Sequence, residues 1–210
     1  MTYAMKPLGC DPSRIKGMSE KLIVSHYEHN YSGAVKRINL LEEQLAGLDF
    51  STAPGYLISG LKREQLIASN SMILHELFFD GLGTESRPDK ELLAAIERDF
   101  GSYERWHAEF LAMGKAQGGG SGWVLVTWSP RDRRLTNQWA MDHTTTLAGG
   151  TSIPALDMYE HSYHMDYGAK AATYVETFMA AIRWANADRL VAIAAVVFVL
   201  QLGGWRWPKR

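Results

Sequence analysis

The segment DMYEHSYHMDYG, residues 157–168, combines carboxylate, imidazole and phenol side chains within a short stretch. Asp157 ends an apolar stretch and His161 follows four residues later, so the two side chains could bind one metal ion. His26 and His75 lie on apolar faces of predicted helices. Three imidazoles and one carboxylate would form a mixed nitrogen and oxygen donor set, which suits iron, manganese or zinc.

Each of these four residues also has an ordinary structural explanation. A histidine on an apolar helix face is often a hydrogen-bonded core residue, and an aspartate at a strand end can stabilise a turn. The metal hypothesis therefore requires that the four side chains meet in the fold. Cys10 is the only cysteine, which excludes an intrachain disulfide and a thiolate-rich metal site.

Composition narrows the classes of function. The net charge is −1, so a nucleic-acid partner is not expected. The N-terminal sequence has no apolar core typical of a secretory signal, which predicts a cytoplasmic protein. The apolar run at 190–200 is shorter than a membrane span. We expect this run to form a final helix or strand that packs on the rest of the protein or on a partner chain. Weak membrane association and a cloning artefact are the alternatives.

The spacing of apolar residues predicts an α+β fold. Two long helices, 19–48 and 61–83, form an N-terminal antiparallel hairpin in which His26 and His75 can face one another. A three-stranded antiparallel sheet flanked by helices follows, with two shorter helices within 89–117 that are broken at Gly101, one helix at 170–188, and strands at 122–128, 135–142 and 151–159. We predict domains at 1–86 and 87–189, and an apolar tail of unassigned role at 190–210.

Four motifs, in this order, resemble the iron/manganese superoxide dismutase family. They are SHYEHNY with His26, MILHELFF with His75, GSGWVLV with Trp123, and DMYEHSY with Asp157 and His161. The last resembles the family signature Asp-x-Trp-Glu-His-Ala-Tyr. The resemblance extends from residue 19 to residue 188.

The resemblance implies that His26, His75, Asp157 and His161 bind one iron or manganese ion per subunit, with solvent as a fifth ligand. It implies an enzyme that converts superoxide to oxygen and hydrogen peroxide by one-electron cycling of the metal. The alternative is a non-enzymatic, dimeric metal-binding or interaction homologue that kept the fold and changed the approach to the metal.

The sequence departs from the family pattern near the metal. One of the two usual positions of a solvent-binding glutamine is Ser71, and the other aligns with His143. We predict that His143 donates a hydrogen bond to the solvent ligand, with Gln138 as the fallback. The gateway tyrosine of the family aligns with Ala34, and Tyr31, one turn earlier, is the predicted substitute.

Other predicted site residues surround this centre. Trp123, Tyr159 and Phe79 are expected to form the aromatic walls. The funnel arginine of the family aligns with Ala171, beside Lys170.

The resemblance also implies a homodimer, with a tetramer as a further option. In the dimer that the resemblance implies, Glu160 accepts a hydrogen bond from the metal-ligand histidine of the other chain. Asn30 and His164 replace a histidine and a tyrosine that pair between subunits in the family, and we predict that they still form a hydrogen bond across the dimer.

Overall fold

The structure, a computed structural model, describes residues 2–84 and 87–193. Its first helical arm begins at Ser19, whose hydroxyl oxygen accepts a hydrogen bond from the Leu22 N–H at 3.0 Å. The arm then consists of three continuous segments: α1 (Glu20–Ser25), a π-helical turn (His26–Tyr31) and α2 (Ser32–Ala46). These bounds agree with the predicted helix at 19–48.

The π-helical turn is the one departure from regular geometry in this arm. The Ser32 N–H donates to the Tyr27 carbonyl, five residues back, where an α-helix would use the residue four back. The wider turn adds one residue between His26 and α2. His26 and Tyr31, at its two ends, are both buried.

The second arm is α3 (Gly55–Asp80), which packs against α2 and completes the predicted hairpin. It starts six residues before the predicted Leu61. Pro54 occupies the N-cap, where its fixed φ and missing N–H are tolerated. The first turn of α3 places Tyr56, Leu57 and Ile58 in succession, and Tyr56 and Leu57 are exposed, so the sequence shows no helical spacing of apolar residues there.

The C-terminal half contains the predicted sheet. Two helices, α4 (Lys90–Phe100) and α5 (Tyr103–Ala116), precede strands β1 (Trp123–Ser129), β2 (Arg134–Ala140) and β3 (Thr151–Asp157). The strand order is β2-β1-β3 and both pairings are antiparallel. In this register Trp123, at the start of β1, lies opposite Ala140 on one side and Asp157 on the other.

After β3 the chain forms a 3-10 helix (Glu160–Ser162), then α6 (His164–Tyr167) and α7 (Ala171–Ala180). The predicted single helix at 170–188 is wrong, because Ile182 pairs with Leu82 in an antiparallel bridge. The Arg183 N–H donates to the Gly81 carbonyl at 2.7 Å, and the Gly83 N–H donates to the Ala181 carbonyl at 3.0 Å. These bonds interrupt the helix, which resumes at 184–193 and is labelled α8.

Most of the apolar tail predicted at 190–210 lies outside the described residues. Among the helices that the structure describes, none combines the length and apolar character needed to cross a membrane.

Candidate metal centre

Four elements bring His26, His75, Asp157 and His161 to one point. His26 begins the π-helical turn, His75 lies on α3, Asp157 ends β3, and His161 lies in the 3-10 helix. One possible ligand atom from each lies within 4.8 Å of all the others. The Asp157 Oδ2 atom is the common neighbour, at 3.2 Å from His161 Nε2, 3.3 Å from His26 Nε2 and 3.8 Å from His75 Nε2.

The buried polar atoms of this cluster fit a metal ion. His26 and His75 are each 2% exposed, and the Nε2 atoms of both are buried without a hydrogen-bond partner. Leaving such atoms unpaired is costly, and native proteins avoid it unless the group has another partner. A cation bound by four converging nitrogen and oxygen atoms would satisfy them, and this donor set suits iron or manganese.

The protonation states also suit metal binding. Burial, together with the neighbouring His26, lowers the pKa of His75 to about 3. Burial likewise lowers the pKa of His26. For Asp157, burial alone would raise the pKa of the carboxyl, but the His161 and His26 imidazoles outweigh it and hold the pKa well below its usual range. His26 and His75 are therefore held as neutral imidazoles and Asp157 as an anionic carboxylate, which are the forms that bind metals.

Hydrogen bonds fix the orientation of two of the four side chains. The His75 Nδ1 lies 2.6 Å from the Ser71 carbonyl, which can only accept, so Nδ1 holds the proton and Nε2 keeps its lone pair. The Tyr159 N–H donates to Asp157 Oδ1 at 2.8 Å, and the Ser162 and Tyr174 hydroxyls donate to the Asp157 carbonyl. Asp157 is thereby held with Oδ2 toward the imidazoles.

Aromatic side chains enclose the cluster. Phe78 and Phe79 lie 5.0 Å and 4.9 Å from the His26 ring, measured between centroids. Trp123 meets His75 edge-on at 5.4 Å, and Tyr159 stacks on His161 at 5.4 Å. These rings exclude water from most of the centre, and the only one of the four ligand candidates with appreciable exposure is His161, whose side chain is 27% exposed.

His143 lies at the bend after β2, against this wall. Its ring stacks on Tyr159 with centroids 4.8 Å apart and lies 6.2 Å from the His75 ring. The Trp123 indole N–H donates to His143 Nδ1 at 3.0 Å, and burial lowers the pKa of His143. The neutral ring therefore carries its proton on Nε2. Gln138, the alternative candidate for the solvent-binding role, instead forms hydrogen bonds with the Thr127 hydroxyl and the Thr145 carbonyl.

Tyr31 also lies beside the centre, but its hydroxyl is engaged elsewhere. Its ring stacks on His75 at 6.4 Å and the residue is 1% exposed. The hydroxyl accepts from the Lys6 N–H at 2.8 Å and donates to Glu76 Oε1 at 3.0 Å. Burial raises the pKa of this phenol to about 12. Its predicted gateway role stays a prediction.

Asn30, Glu160 and His164 lie on the outer surface beside the centre. Glu160 and His164 are exposed and Asn30 is half-buried. Within the described part of the chain, no side-chain hydrogen bond is formed by these three residues or by His161 Nδ1. Lys170 is exposed and precedes α7. In a single chain, a partner could therefore reach five groups: the side chains of Asn30, Glu160, His164 and Lys170, and the Nδ1 atom of His161.

Sequence analysis missed three residues that contact the ligand candidates: Phe78, Ser162 and Tyr174. Ser162 follows His161 directly and could have been noticed as a nearby donor. Tyr174 is seventeen residues from Asp157 and lies on the buried face of α7, so nothing in its local sequence distinguishes it from a core residue.

Comparison with known proteins agrees with this geometry. The family model described as iron/manganese superoxide dismutases, C-terminal domain, matches residues 88–190. The iron superoxide dismutase of Cupriavidus metallidurans is 66% identical over 194 residues, which are 92% of this chain and 98% of that protein. Manganese superoxide dismutase 2 of Haloferax volcanii is 32% identical over 192 residues, 88% of this chain and 92% of that protein. The iron superoxide dismutase of Aquifex pyrophilus is 29% identical over 181 residues, 82% of this chain and 84% of that protein.

Proposed function

The chain belongs to the iron/manganese superoxide dismutase family, and on this premise we propose that its centre of three histidines and one aspartate holds one iron or manganese ion and disproportionates superoxide. Two superoxide anions and two protons give one dioxygen and one hydrogen peroxide. The observation that carries the proposal is the convergence of four donor atoms, two of which, His26 Nε2 and His75 Nε2, are buried and otherwise without partners.

Bound iron or manganese supplies the one-electron oxidation and reduction that this reaction needs. His26, His75, Asp157 and His161 would hold the ion. The Ser71 carbonyl and the Tyr159 N–H keep His75 and Asp157 oriented toward it, which is the usual role of groups behind metal ligands. The aromatic walls exclude water, so the electrostatic interactions inside the site are strengthened.

His143 is our candidate for handling a proton beside the centre. The bond from the Trp123 indole to Nδ1 supports this role, because it leaves the proton of the neutral ring on Nε2. An imidazole N–H in this position can donate to solvent or to a reduced oxygen species as the two protons are delivered.

We propose iron as the first choice of metal. The relative with 66% identity is named as an iron enzyme, while manganese enzymes are among the more distant relatives. The metal content of protein purified from a host supplied with both metals tests this choice.

We further propose that the working unit is a homodimer. Glu160 is exposed, and His161 Nδ1 has no acceptor among the described residues. A metal-bound imidazole is normally oriented by an acceptor on its second nitrogen, and Glu160 of a second copy would supply one. The tetramer and the cytoplasmic address stay predictions.

The test combines metal analysis with a superoxide-consumption assay on purified protein loaded with iron or with manganese. We expect one ion per chain and catalysis in at least one form. His75→Ala should lose the metal and the activity together. Stoichiometric metal without superoxide consumption in either form would favour the non-enzymatic alternative, and metal retained by His75→Ala would move the site elsewhere.

A further inference from the structure

Three side chains join the N-terminal segment to both helical arms beside the metal centre: Lys6, Tyr31 and Glu76. We call this group the latch. The Tyr31 hydroxyl accepts a hydrogen bond from the Lys6 N–H at 2.8 Å and donates one to Glu76 Oε1 at 3.0 Å. The Lys6 ammonium lies 2.6 Å from the other carboxylate oxygen, Glu76 Oε2. Each oxygen of the Glu76 carboxylate, whose side chain is only 16% exposed, therefore has its own partner.

The backbone of the N-terminal segment is also anchored to the first arm. The Lys6 carbonyl accepts a hydrogen bond from the Tyr27 hydroxyl at 2.7 Å, so two tyrosines of the π-helical turn bond to this one residue. Asn39 of α2 bonds to both the N–H and the carbonyl of Tyr3, at 2.8 Å and 2.9 Å. These bonds hold the Lys6 ammonium in place against Glu76.

The latch connects the two elements that carry His26 and His75. Tyr31 ends the π-helical turn that His26 begins, and Glu76 follows His75 directly on α3. The hydrogen bond between Tyr31 and Glu76 therefore ties the π-helical turn to α3 beside both ligand candidates. The His26 and His75 rings lie 5.0 Å apart between centroids, and this separation depends on how the turn is held against α3.

The Tyr31 ring also contacts His75 directly. The two rings lie 6.4 Å apart between centroids, and their planes are 27° from parallel. The bond from His75 Nδ1 to the Ser71 carbonyl fixes one edge of the imidazole, and the aromatic neighbour resists rotation about that bond. Because the Tyr31 hydroxyl has both a donor and an acceptor, the ring cannot move away without breaking one of these hydrogen bonds.

We propose that Glu76 is a positioning residue, which holds Tyr31 so that His26 and His75 keep the arrangement that a metal ion needs. The inference rests on the proposed function and adds residues that act on metal retention. Groups that are arranged before binding lose less conformational freedom when the ligand binds. Partners behind metal ligands also tune the bound metal. The latch therefore slows release of the metal and sets the geometry of its site.

Three variants separate the parts of the latch. Tyr31→Phe keeps the ring and removes the hydroxyl, and Glu76→Ala removes both contacts of the carboxylate. Glu76→Gln keeps an acceptor for the Tyr31 hydroxyl and loses the charge that pairs with Lys6. Ile96→Val is the matched control for lost stability, because Ile96 is buried in α4, which packs against α5 and β2.

Two measurements follow the metal, and a third is made without it. Release of iron to an excess of chelator and the electron paramagnetic resonance spectrum of the iron(III) protein report on the loaded site. Nuclear magnetic resonance of the His26 and His75 rings in metal-free protein reports on their arrangement before binding.

We expect Tyr31→Phe and Glu76→Ala to release iron about twofold to tenfold faster than the unmodified protein, as the loss of a hydrogen bond predicts. Their resonance spectra and ring signals should change as well. Glu76→Gln should restore most of the unmodified behaviour, and Ile96→Val should stay close to the unmodified protein in all three measurements.

The inference fails if Tyr31→Phe and Glu76→Ala match Ile96→Val in release rate, spectrum and ring signals. It also fails if Glu76→Gln is as impaired as Glu76→Ala, because the hydrogen bond to Tyr31 would then not be the contact that matters. Failure of the proposed function looks different. In that case the unmodified, metal-loaded protein would not consume superoxide, while the ring signals of metal-free protein would still report whether the latch positions His26 and His75.

Discussion

At the scale of single residues, the centre depends on which ring nitrogen of each histidine carries the proton. The Ser71 carbonyl places the His75 proton on Nδ1, which leaves Nε2 for a metal. The Trp123 indole favours the opposite tautomer of His143. Its N–H donates to Nδ1, so the proton of the neutral ring lies on Nε2. Neighbouring imidazoles with opposite tautomers can therefore serve as a ligand and as a proton donor.

This contrast predicts the effect of replacing His143. The His143→Ala protein should keep its metal but lose at least about tenfold in catalytic rate, since a positioned proton donor is removed. Its optical spectrum should change as well. His107→Ala is the control, because His107 contacts Tyr103 and Trp106 of α5 instead of the centre. Equal rates and spectra for the two variants would remove His143 from the reaction.

Sequence analysis could identify the four ligand candidates because their chemistry is visible in residue types and helical faces. It could not reveal that the Ser162 and Tyr174 hydroxyls both bond to the Asp157 carbonyl. It also did not reveal that Tyr31 bonds to Lys6 and Glu76. Such contacts depend on how segments far apart in sequence pack, and a tyrosine on a buried helix face has the same local pattern whether or not its hydroxyl has a specific partner.

At the scale of elements, the π-helical turn sets the direction of His26. An extra residue within a helix rotates everything before it by about 100° relative to everything after it. The apolar spacing along 19–48 predicted one regular helix, because a single added residue changes the stripe too little to be recognised. The observed turn lies at His26–Tyr31, where it brings His26 into the cluster while α2 keeps its face toward α3.

Deleting Glu28 should therefore separate helix formation from metal binding. Glu28 is exposed, and its removal would convert the π-helical turn to regular α-helix and rotate His26 away from the cluster. We expect near-normal helical circular dichroism and loss of the metal. Glu28→Ala, which keeps the chain length, should bind metal normally. If the deletion variant keeps a full complement of metal, the turn does not orient His26.

A close contact behind the ligand strand gives a second prediction at this scale. A Cβ at Gly114 of α5 would lie 2.7 Å from Val175 Cγ1 and 2.9 Å from Leu156 Cδ2, next to Asp157. Gly114→Ala should lower the free energy of unfolding by about 1–3 kcal/mol, because overpacking outweighs the better helix propensity of alanine.

Gly60 of α3 provides the matched control, since a Cβ there would have no neighbour within 4 Å. Gly60→Ala should stabilise the protein by about 0.5–1 kcal/mol. Denaturant unfolding measures both changes. Equal stabilisation of the two variants would mean that the α5 contact relaxes freely.

At the scale of the whole molecule, the metal centre joins the two halves of the chain. His26 and His75 come from the helical hairpin, and Asp157 and His161 come from the half that contains the sheet. We propose that these halves are domains divided at residues 86 and 87. The Leu82–Ile182 bridge is a second connection between them.

Removing the metal should lower the melting temperature, because an ion that binds only the folded state stabilises it by mass action. Each kcal/mol lost from the free energy of unfolding lowers the melting temperature by about 2–4 °C for a chain of this size. Calorimetry of metal-loaded and metal-depleted protein measures the shift. The His75→Ala variant should show no such difference, and a shift of equal size in that variant would place the stabilising ion elsewhere.

The proposed dimer gives the last prediction, which concerns Glu160. The Glu160 carboxylate is exposed and has no partner among the described residues, and His161 Nδ1 lacks an acceptor there. In a two-fold dimer each interface would carry two Glu160–His161 contacts, since one contact implies its symmetric copy. Glu160→Ala should therefore weaken dimerisation and alter the metal together, measured by sedimentation and by metal content and optical spectrum.

Glu160→Gln and Glu176→Ala make the Glu160 experiment specific. The glutamine side chain can still accept a hydrogen bond from an imidazole N–H, so Glu160→Gln should retain more of the dimer and of the metal than Glu160→Ala. Glu176 is exposed and paired with Lys115 on the surface, so its loss should change neither property. A fully dimeric Glu160→Ala protein with an unaltered metal spectrum would exclude the contact between chains. His161 would then need another acceptor, and the interface would have to be sought on a different surface.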